Sequence, residues 1–115
     1  MRTLFGYLAL LVGVGAFLSA CSQRPEDTLV VYSGRKENLV QPIIDQFSAA
    51  TGIDVRVKYG KTAEIAAMLL EEGDNSPADV FWAQDPGGLG AVAAAGMLTR
   101  LPEESLARVD SRFRA

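Results

Sequence analysis

The chain has 115 residues, a formal net charge of −3 at pH 7, one cysteine and no histidine. Without histidine, it cannot carry out Ser-His-Asp or Cys-His nucleophilic catalysis by itself, and it cannot form a zinc site that needs imidazole. One cysteine excludes an internal disulfide and a cysteine-rich metal site. A mildly acidic chain without a basic stripe gives no reason to propose nucleic-acid binding.

The N-terminal segment has the three regions of a secretory signal in order. Arg2 precedes an uncharged apolar run at 4–17, and small residues lead from there to Cys21. The last four letters, L-S-A-C, resemble a bacterial lipobox, in which cleavage precedes the cysteine and its thiol carries a lipid anchor. The alternatives are a transmembrane helix, for which about twenty apolar residues suffice, and a cysteine without a role. We expect a lipoprotein signal peptide at 1–20, lipidation of Cys21 and a polar tether at 21–28.

Beyond the tether, the first two predicted elements are a strand and a helix. Residues 28–32 form a β-rich run, and the apolar residues after it recur at intervals of three and four, as on one face of a helix. Pro42 is tolerated only in a first turn, so the helix should begin near Glu37 or Asn38. Gly52 should end it in the left-handed conformation. The residues predicted to face inward are Leu39, Val40, Ile43, Ile44 and Phe47.

The same alternation then continues twice. Residues 53–59 alternate between apolar and polar with period two, which predicts a strand with one solvated face near a sheet edge. Thr62 is the predicted N-cap of the next helix, which should end at Gly73. The apolar run at 78–83 predicts a strand covered on both faces, and an alanine-rich helix at 89–95 follows it.

With a last short helix at 102–109, the order of elements is β-α-β-α-β-α-α, which predicts the α/β class. The connections suit parallel neighbours, and right-handed crossovers then place helices on both faces of the sheet. Loops that leave the carboxyl ends of parallel strands open on one edge, where ligands bind at the point where the strand order reverses. Three loops meet this description, at residues 32–36, 59–62 and 83–88.

Each of these loops leads into a helix N-terminus, where unpaired amides and a positive partial charge favour an anion. Hydroxyls and basic side chains in the loops strengthen this preference, so the rim suits an anion or a metal carried with one. Arg35 is the strongest candidate because its planar fork can grip an oxyanion at two points. Alternatively, the glycines only form turns, Thr62 only caps its helix, and Asp85 with the Pro-Gly-Gly after it only forms a turn. The candidate ligand-binding residues are Ser33, Gly34, Arg35, Lys61, Thr62, Gln84 and Asp85.

Two sequence blocks carry a resemblance to a known family. They are YSGR at 32–35 and EEGDNSPADVF at 71–81. With the surrounding sequence from about Leu29 onward, they resemble the ferric-iron-binding substrate-binding proteins of bacterial ABC importers. Such proteins have two α/β lobes joined by a hinge and close over their ligand. The resemblance implies that residues 29–115 form the N-terminal part of lobe 1, with a periplasmic-binding-protein type II-like fold and a parallel βαβαβα core. The second lobe is expected to lie outside this chain.

The resemblance also bears on the iron ligands. In one branch of the family the first loop supplies a histidine and the third a glutamate; here Arg35 or Lys36, and Gln84, stand at those positions and are poor ligands for a ferric ion. The chain is similar to a second branch, which has the YSGR form and binds iron through tyrosines of the second lobe with a small anion such as carbonate. The resemblance therefore implies that Arg35 holds the anion. Tyr32 and Tyr59 do not match the family's paired tyrosines, so no metal ligand is assigned within this chain.

The function implied by the resemblance is that of an extracytoplasmic solute-binding component of an ABC transporter. It would bind ferric iron with a synergistic anion, use no catalytic cofactor, and work with an inner-membrane permease from the periplasm or the cell surface. The alternatives are a receptor for an oxyanion or phosphonate and a lipoprotein stub that binds nothing. A hydrolase or transferase that uses Asp85 and Glu37 as an acid–base pair is disfavoured, because no nucleophile stands out.

Overall fold

Strands and helices alternate in the predicted order in the computed structural model, which describes residues 28–114. The predicted signal peptide and Cys21 lie outside the described residues. The elements are β1 (Thr28–Ser33), α1 (Glu37–Thr51), β2 (Asp54–Tyr59), α2 (Thr62–Glu72), β3 (Val80–Trp82), α3 (Pro86–Ala94) and α4 (Glu103–Leu106), with short 3-10 turns at Gly73–Asn75 and Ser111–Phe113.

The sheet is parallel, with the strand order β2-β1-β3. Ser33, the last residue of β1, lies opposite Tyr59 of β2 and Trp82 of β3. The strand order reverses at β1, because the chain goes from β1 to a neighbour on one side and then crosses over to the other side. The carboxyl ends of the three strands therefore share an edge, and the loops that follow them start side by side.

The side chains of β1 alternate between two small cores, one on each face of the sheet. On one face, buried Val31 packs with Val40 and Ile44 of α1. On the other face, buried Tyr32 packs against α2 and α3. The buried residues that those two helices contribute are Ile65, Ala66, Leu69 and Val92. Helices therefore cover both faces of the sheet, as predicted, and the α/β class is confirmed.

β2 has one solvated and one packed face. Its side chains at Val55, Val57 and Tyr59 pack toward the α1 core, whereas Arg56 and Lys58 on the opposite face are exposed. Within the described residues β2 pairs only with β1. The predicted edge position and the solvated face are both confirmed.

β3 is shorter and more exposed than predicted. It comprises only Val80–Trp82 and begins at a residue that is 41% exposed, so the prediction of a strand covered on both faces is wrong there. Phe81 contacts the α2–α3 core and Trp82 contacts the α1 core. The exposure follows from position, because in residues 28–114 the only strand beside β3 is β1.

α1 begins at Glu37, as predicted, but the argument from Pro42 is wrong. Pro42 lies in the second turn, inside the helix, where it lacks the N–H that would bond to the carbonyl four residues earlier. That earlier residue is exposed, so water can satisfy its carbonyl. Leu39 and Ile43, which were predicted to face inward, are each 51% exposed, and Phe47 is 38% exposed. Only a narrow stripe of α1 meets the sheet.

Most helix ends agree with the glycine pattern, and two boundaries differ. Gly52 and Gly73 have positive φ angles at the ends of α1 and α2. α3 starts earlier than predicted, at Pro86, because Asp85 caps it, and α4 stops earlier, at Leu106. Within residues 28–114, every helix falls short of the length and apolarity that a membrane span requires.

The EEGDNSPADVF block ties α2 and β3 to β1. The Tyr32 hydroxyl donates to Glu72 Oε1 at 3.0 Å, and the Ser76 hydroxyl donates to Oε2 of the same carboxylate at 2.7 Å. The Val30 N–H donates to Asp79 Oδ2 at 2.8 Å, and the Asp79 N–H donates to the Val30 carbonyl at 2.9 Å. The block therefore fixes how the layers pack, at the end of α2 opposite to the three loops.

Candidate functional site

The three predicted loops line one depression at the carboxyl edge of the sheet. The depression has a volume of about 420 Å³ and opens to solvent. The prediction that the loops share a rim is confirmed. The lining residues are Gly34, Arg35 and Lys36 from the first loop, Tyr59, Gly60, Lys61, Thr62 and Ala63 from the second, and Gln84 and Asp85 from the third.

Main-chain hydrogen bonds bring the loops together by extending the sheet beyond its paired residues. The Gly34 N–H donates to the Trp82 carbonyl at 2.8 Å, and the Gly60 N–H donates to the Ser33 carbonyl at 3.1 Å. The end of β1 and its loop are thus bonded on both sides, to β3 and to the loop after β2. The position of the rim therefore follows from the register in which β1 pairs with β2 and β3.

Thr62 joins the three loops through its side chain. Its Oγ1 accepts from the Gln84 N–H at 3.2 Å and donates to the Gly34 carbonyl at 3.4 Å. The residue is 5% exposed. The prediction that Thr62 caps α2 is wrong: the N-cap is Lys61, and Thr62 is the first helical residue. Its hydroxyl is directed across the loops instead of back to its own helix.

Two glycines leave room for Thr62. A Cβ atom on Gly34 would overlap Thr62 Oγ1 and would lie 2.8 Å from its Cα. A Cβ atom on Gly88 would lie 2.5 Å from Thr62 Cγ2. Such distances are far below van der Waals contact, so a larger residue at either position would have to displace Thr62 or the loop that carries it.

Ser33 holds the backbone of Arg35. The buried Ser33 Oγ accepts from the Arg35 N–H and donates to the Arg35 carbonyl, both at 3.2 Å, and Ser33 does not line the depression. Arg35 lines it, and in residues 28–114 the Arg35 guanidinium makes no ion pair or hydrogen bond. Its donors therefore remain available to a ligand.

The surplus positive charge of the rim lies on the first loop. In the second loop, Lys61 Nζ lies 3.4 Å from Glu64 Oε1, and the Lys61 N–H donates to Glu64 Oε2 at 3.3 Å. This pair is solvent-exposed and therefore weak, but it offsets the charge of Lys61. Lys36 is exposed beside Arg35 and, within the described part of the chain, has no acidic partner.

Asp85 is the acidic residue of the depression. Its Oδ1 accepts from the Gly88 N–H at 3.0 Å and so caps α3. This hydrogen bond lowers the pKa of Asp85, desolvation opposes the shift, and hydrogen bonds from the Thr62 hydroxyl and the Gly87 N–H add to it. The alternative in which Asp85 serves the turn agrees with this cap, and its contact with a ligand stays a prediction.

The two tyrosines at the strand ends have their hydroxyls bonded to helices. The Tyr59 hydroxyl donates to Gln41 Oε1 at 2.8 Å, and the Tyr32 hydroxyl donates to Glu72. Burial raises the pKa of both phenols, with further contributions from nearby carboxylates. Since metal ligation needs the phenolate, this environment disfavours it. Among residues 28–114, no group of three His, Cys, Asp or Glu side chains could hold a metal ion.

Comparison with known proteins places this chain in a family. The model of the family described as bacterial extracellular solute-binding protein matches residues 28–110. The chain belongs to this family. The three-loop depression is thus a feature of a bacterial extracellular solute-binding protein.

Relatives of this solute-binding protein are named for ferric iron. The chain is 34% identical over 106 residues to the major ferric iron-binding protein of Neisseria gonorrhoeae, covering 92% of this chain and 31% of the relative. It is 35% identical over 86 residues to the Fe(3+)-binding periplasmic protein of Serratia marcescens, covering 75% of this chain and 25% of the relative. The chain therefore spans about a quarter to a third of the length of these relatives.

Solved structures support the same grouping. Iron-bound HitA from Pseudomonas aeruginosa superposes with a TM-score of 0.68 at 36% identity, covering 72% of this chain and 27% of that chain. The ferric binding protein from Campylobacter jejuni superposes with a TM-score of 0.69 at 33% identity, covering 76% of this chain and 28% of that chain. The fold of this solute-binding protein is therefore found in part of the fold of ferric-binding proteins.

Gly88 and Tyr59 were not among the site residues predicted from the sequence. Gly88 lies in the first turn of α3, 26 residues after Thr62, and packs against it; no local pattern marks such a contact. Tyr59 lines the depression while its hydroxyl anchors β2 to α1, and its place at the end of a strand was the available signal.

We predict that Gly34→Ala lowers the free energy of unfolding by about 1–3 kcal/mol, since its Cβ would overlap Thr62. Gly90→Ala is the matched control, because a Cβ atom there meets nothing within 4 Å and lies inside α3. It should raise stability by about 0.5–1 kcal/mol. Urea unfolding of both variants checks this, and equal effects of the two substitutions would contradict it.

Asp85 should make stability depend on pH. Its folded-state pKa is lowered, so its ionised form contributes stability at pH values above the ordinary aspartate pKa, and this contribution is lost as the pH falls through the lowered value. Asp85→Asn should therefore melt below wild type at neutral pH and equally with it in strong acid. Thermal melting midpoints across the acid range, without added iron or anion, measure this. A difference that stays constant with pH would refute it.

Proposed function

We propose that this chain forms the anion-binding wall of an extracytoplasmic solute-binding protein that captures ferric iron together with a small anion. The observation that supports this most is that Arg35 lines the depression and that its guanidinium has no partner among the described residues. A planar guanidinium can bind an oxyanion such as carbonate through two parallel hydrogen bonds. The surrounding helix N-termini add unpaired amides and positive partial charge.

The six candidate residues other than Thr62 divide by what they can do. Arg35 and Lys61 line the depression and would face an anion directly, and Gln84 lines it from the third loop and is exposed. Asp85 would sit beside the iron or a water molecule, because a carboxylate would repel the anion. Ser33 and Gly34 shape the backbone that carries Arg35.

Iron itself would be held mainly by groups outside residues 28–114. Ferric iron prefers hard oxygen ligands such as carboxylate and phenolate, and the two described tyrosines next to the loops have hydroxyls committed to helices. We therefore assign tyrosinate ligation to the rest of the protein and the companion anion to this wall. A related structure from Trichodesmium contains iron and citrate, which is consistent with an anion beside the metal.

The proposed protein binds without catalysis and delivers its cargo to an ABC permease. Affinity would come from closure of two lobes around the ligand, a hinge motion in which this wall moves as one body. The protein would work in the periplasm or at the cell surface, held at the membrane by a lipid on Cys21.

A second candidate function is a receptor for a free oxyanion or phosphonate. Half-buried Arg35 and exposed Lys36 favour it, because neither has an acidic partner among residues 28–114 and both charges act on an anion without any metal. It uses the same wall and differs in whether iron is required.

For the full-length protein, titration with ferric citrate and bicarbonate is expected to produce a visible tyrosinate-to-iron absorption band. Arg35→Ala should weaken the affinity for iron in the presence of bicarbonate by about tenfold to a hundredfold, which is the range for loss of a charge-assisted hydrogen bond. Arg56→Ala, on the solvated face of β2, is the control and should leave binding unchanged. Absence of the band with tight phosphate or phosphonate binding would favour the second candidate, and unchanged bicarbonate dependence would remove Arg35 from the site.

Lipidation of Cys21 has its own test. In cells labelled with palmitate, the protein should carry the label and fractionate with membranes, and Cys21→Ala should lose both properties because the acceptor thiol is gone. Ser22→Ala is the control and should retain them. An unlabelled wild-type protein would refute the anchor without affecting the proposal for iron.

A further inference from the structure

We propose that Thr62 is the positioning residue of the rim, which holds the Arg35 loop and the Gln84 loop in their relative places without contacting the anion. This inference rests on the proposed function, since it assigns a role within the same site. It changes the expectation from sequence, in which the Thr62 hydroxyl is a donor to the ligand.

The hydroxyl of Thr62 has no hydrogen left for a ligand. A threonine hydroxyl has one hydrogen and two lone pairs. One lone pair accepts from the Gln84 N–H at 3.2 Å. The hydrogen is directed to the Gly34 carbonyl at 3.4 Å. The two partners belong to the first and third loops, so the hydroxyl is a bridge between them.

The methyl group of Thr62 acts as a spacer on the same bridge. A Cβ atom on Gly88 would lie 2.5 Å from its Cγ2, and a Cβ atom on Gly34 would lie 3.0 Å from the Thr62 Cβ that carries it. The side chain is thus enclosed between two glycines and is 5% exposed. Serine would lack the spacer and valine would lack the bridge, so threonine is the residue that supplies both.

Displacement of Thr62 would change the position of the Arg35 guanidinium, because the two residues are connected through the backbone of the first loop. The Gly34 carbonyl belongs to the peptide whose N–H is that of Arg35, and the Ser33 hydroxyl clamps the same N–H and the Arg35 carbonyl. Loss of the Thr62 bond would free this peptide to rotate, and the guanidinium would no longer be held where the anion binds. Preorganisation of this kind lowers the cost of binding.

The test uses two variants of the full-length protein. Thr62→Val keeps the shape of the side chain and removes the hydroxyl, whereas Thr62→Ser keeps the hydroxyl and removes the methyl group. Thr51→Val is the matched control, because the Thr51 hydroxyl also donates to a carbonyl, that of Phe47, and accepts an N–H, that of Ile53, but lies at the far end of α1. Thr62→Val should weaken bicarbonate-dependent iron binding by about tenfold, and Thr51→Val should not change it.

A double-mutant cycle with Arg35→Ala separates positioning from direct contact. If Thr62 acts through Arg35, the effect of Thr62→Val should largely vanish in the Arg35→Ala background. Fully additive effects would mean an independent contact with the anion and would overturn the inference. Unchanged binding by a less stable Thr62→Val protein would mean a merely structural role and would overturn it as well.

Amide exchange of Gln84 gives a readout that needs no ligand. Although Gln84 is exposed, its amide should exchange at least about tenfold slower than an unbonded amide, and Thr62→Val should remove this protection while Thr62→Ser keeps it. If wild type binds no iron, the proposed function fails, and this measurement alone decides the role of Thr62. If Thr62→Val does not fold, the exchange rate of the Gln84 amide in the wild-type protein still tests the inference. An unprotected Gln84 amide would overturn it.

Discussion

The parallel placement of β1 between β2 and β3 is the constraint on which the other features of this chain depend. It makes the strand order reverse at β1, so that three connections separated in sequence emerge at one edge. It also lets the sheet bonds continue past the last paired residues, through the Gly34 N–H and the Ser33 carbonyl. Once these loops are adjacent, a single buried threonine is sufficient to link them.

The two sequence blocks that carry the family resemblance have different physical roles. YSGR is located at the depression, where its serine organises the backbone and its arginine is left without a partner among the described residues. EEGDNSPADVF lies at the other end of α2, where Glu72 and Asp79 bond to the first strand. A sequence block typical of a binding family can therefore maintain the packing that aligns the site without lining it.

Much of the fold could be predicted from local patterns, because hydrophobic period and glycine positions are encoded over a few residues. The start of α1 at Glu37 and its end at Gly52 are examples. The short β3 could not be predicted, because the exposure of Val80 depends on what stands beside the strand in the sheet. The gathering of the loops followed from topology alone. The role of Thr62 as a bridge could not be predicted, because a threonine that caps a helix and one that links two loops have the same local sequence.

The residues that could contact a ligand were predicted as a set but not by role. Residue type and loop position identify donors, yet they do not say which donors are already used. The hydroxyls of Ser33 and Thr62 form hydrogen bonds within the protein, and only the three-dimensional contacts reveal this. The unpartnered Arg35 is the residue for which the sequence preference and the structure agree.

The outer edge of β3 has a further consequence for the shape of the depression. Within residues 28–114 β3 pairs only with β1, so the main-chain groups on its outer edge can accept a further strand. Whatever its direction, one end of such a strand would lie beside Ala83, next to the third loop of the depression. Variation in that incoming segment could widen or narrow the opening while residues 28–114 keep one unchanged scaffold.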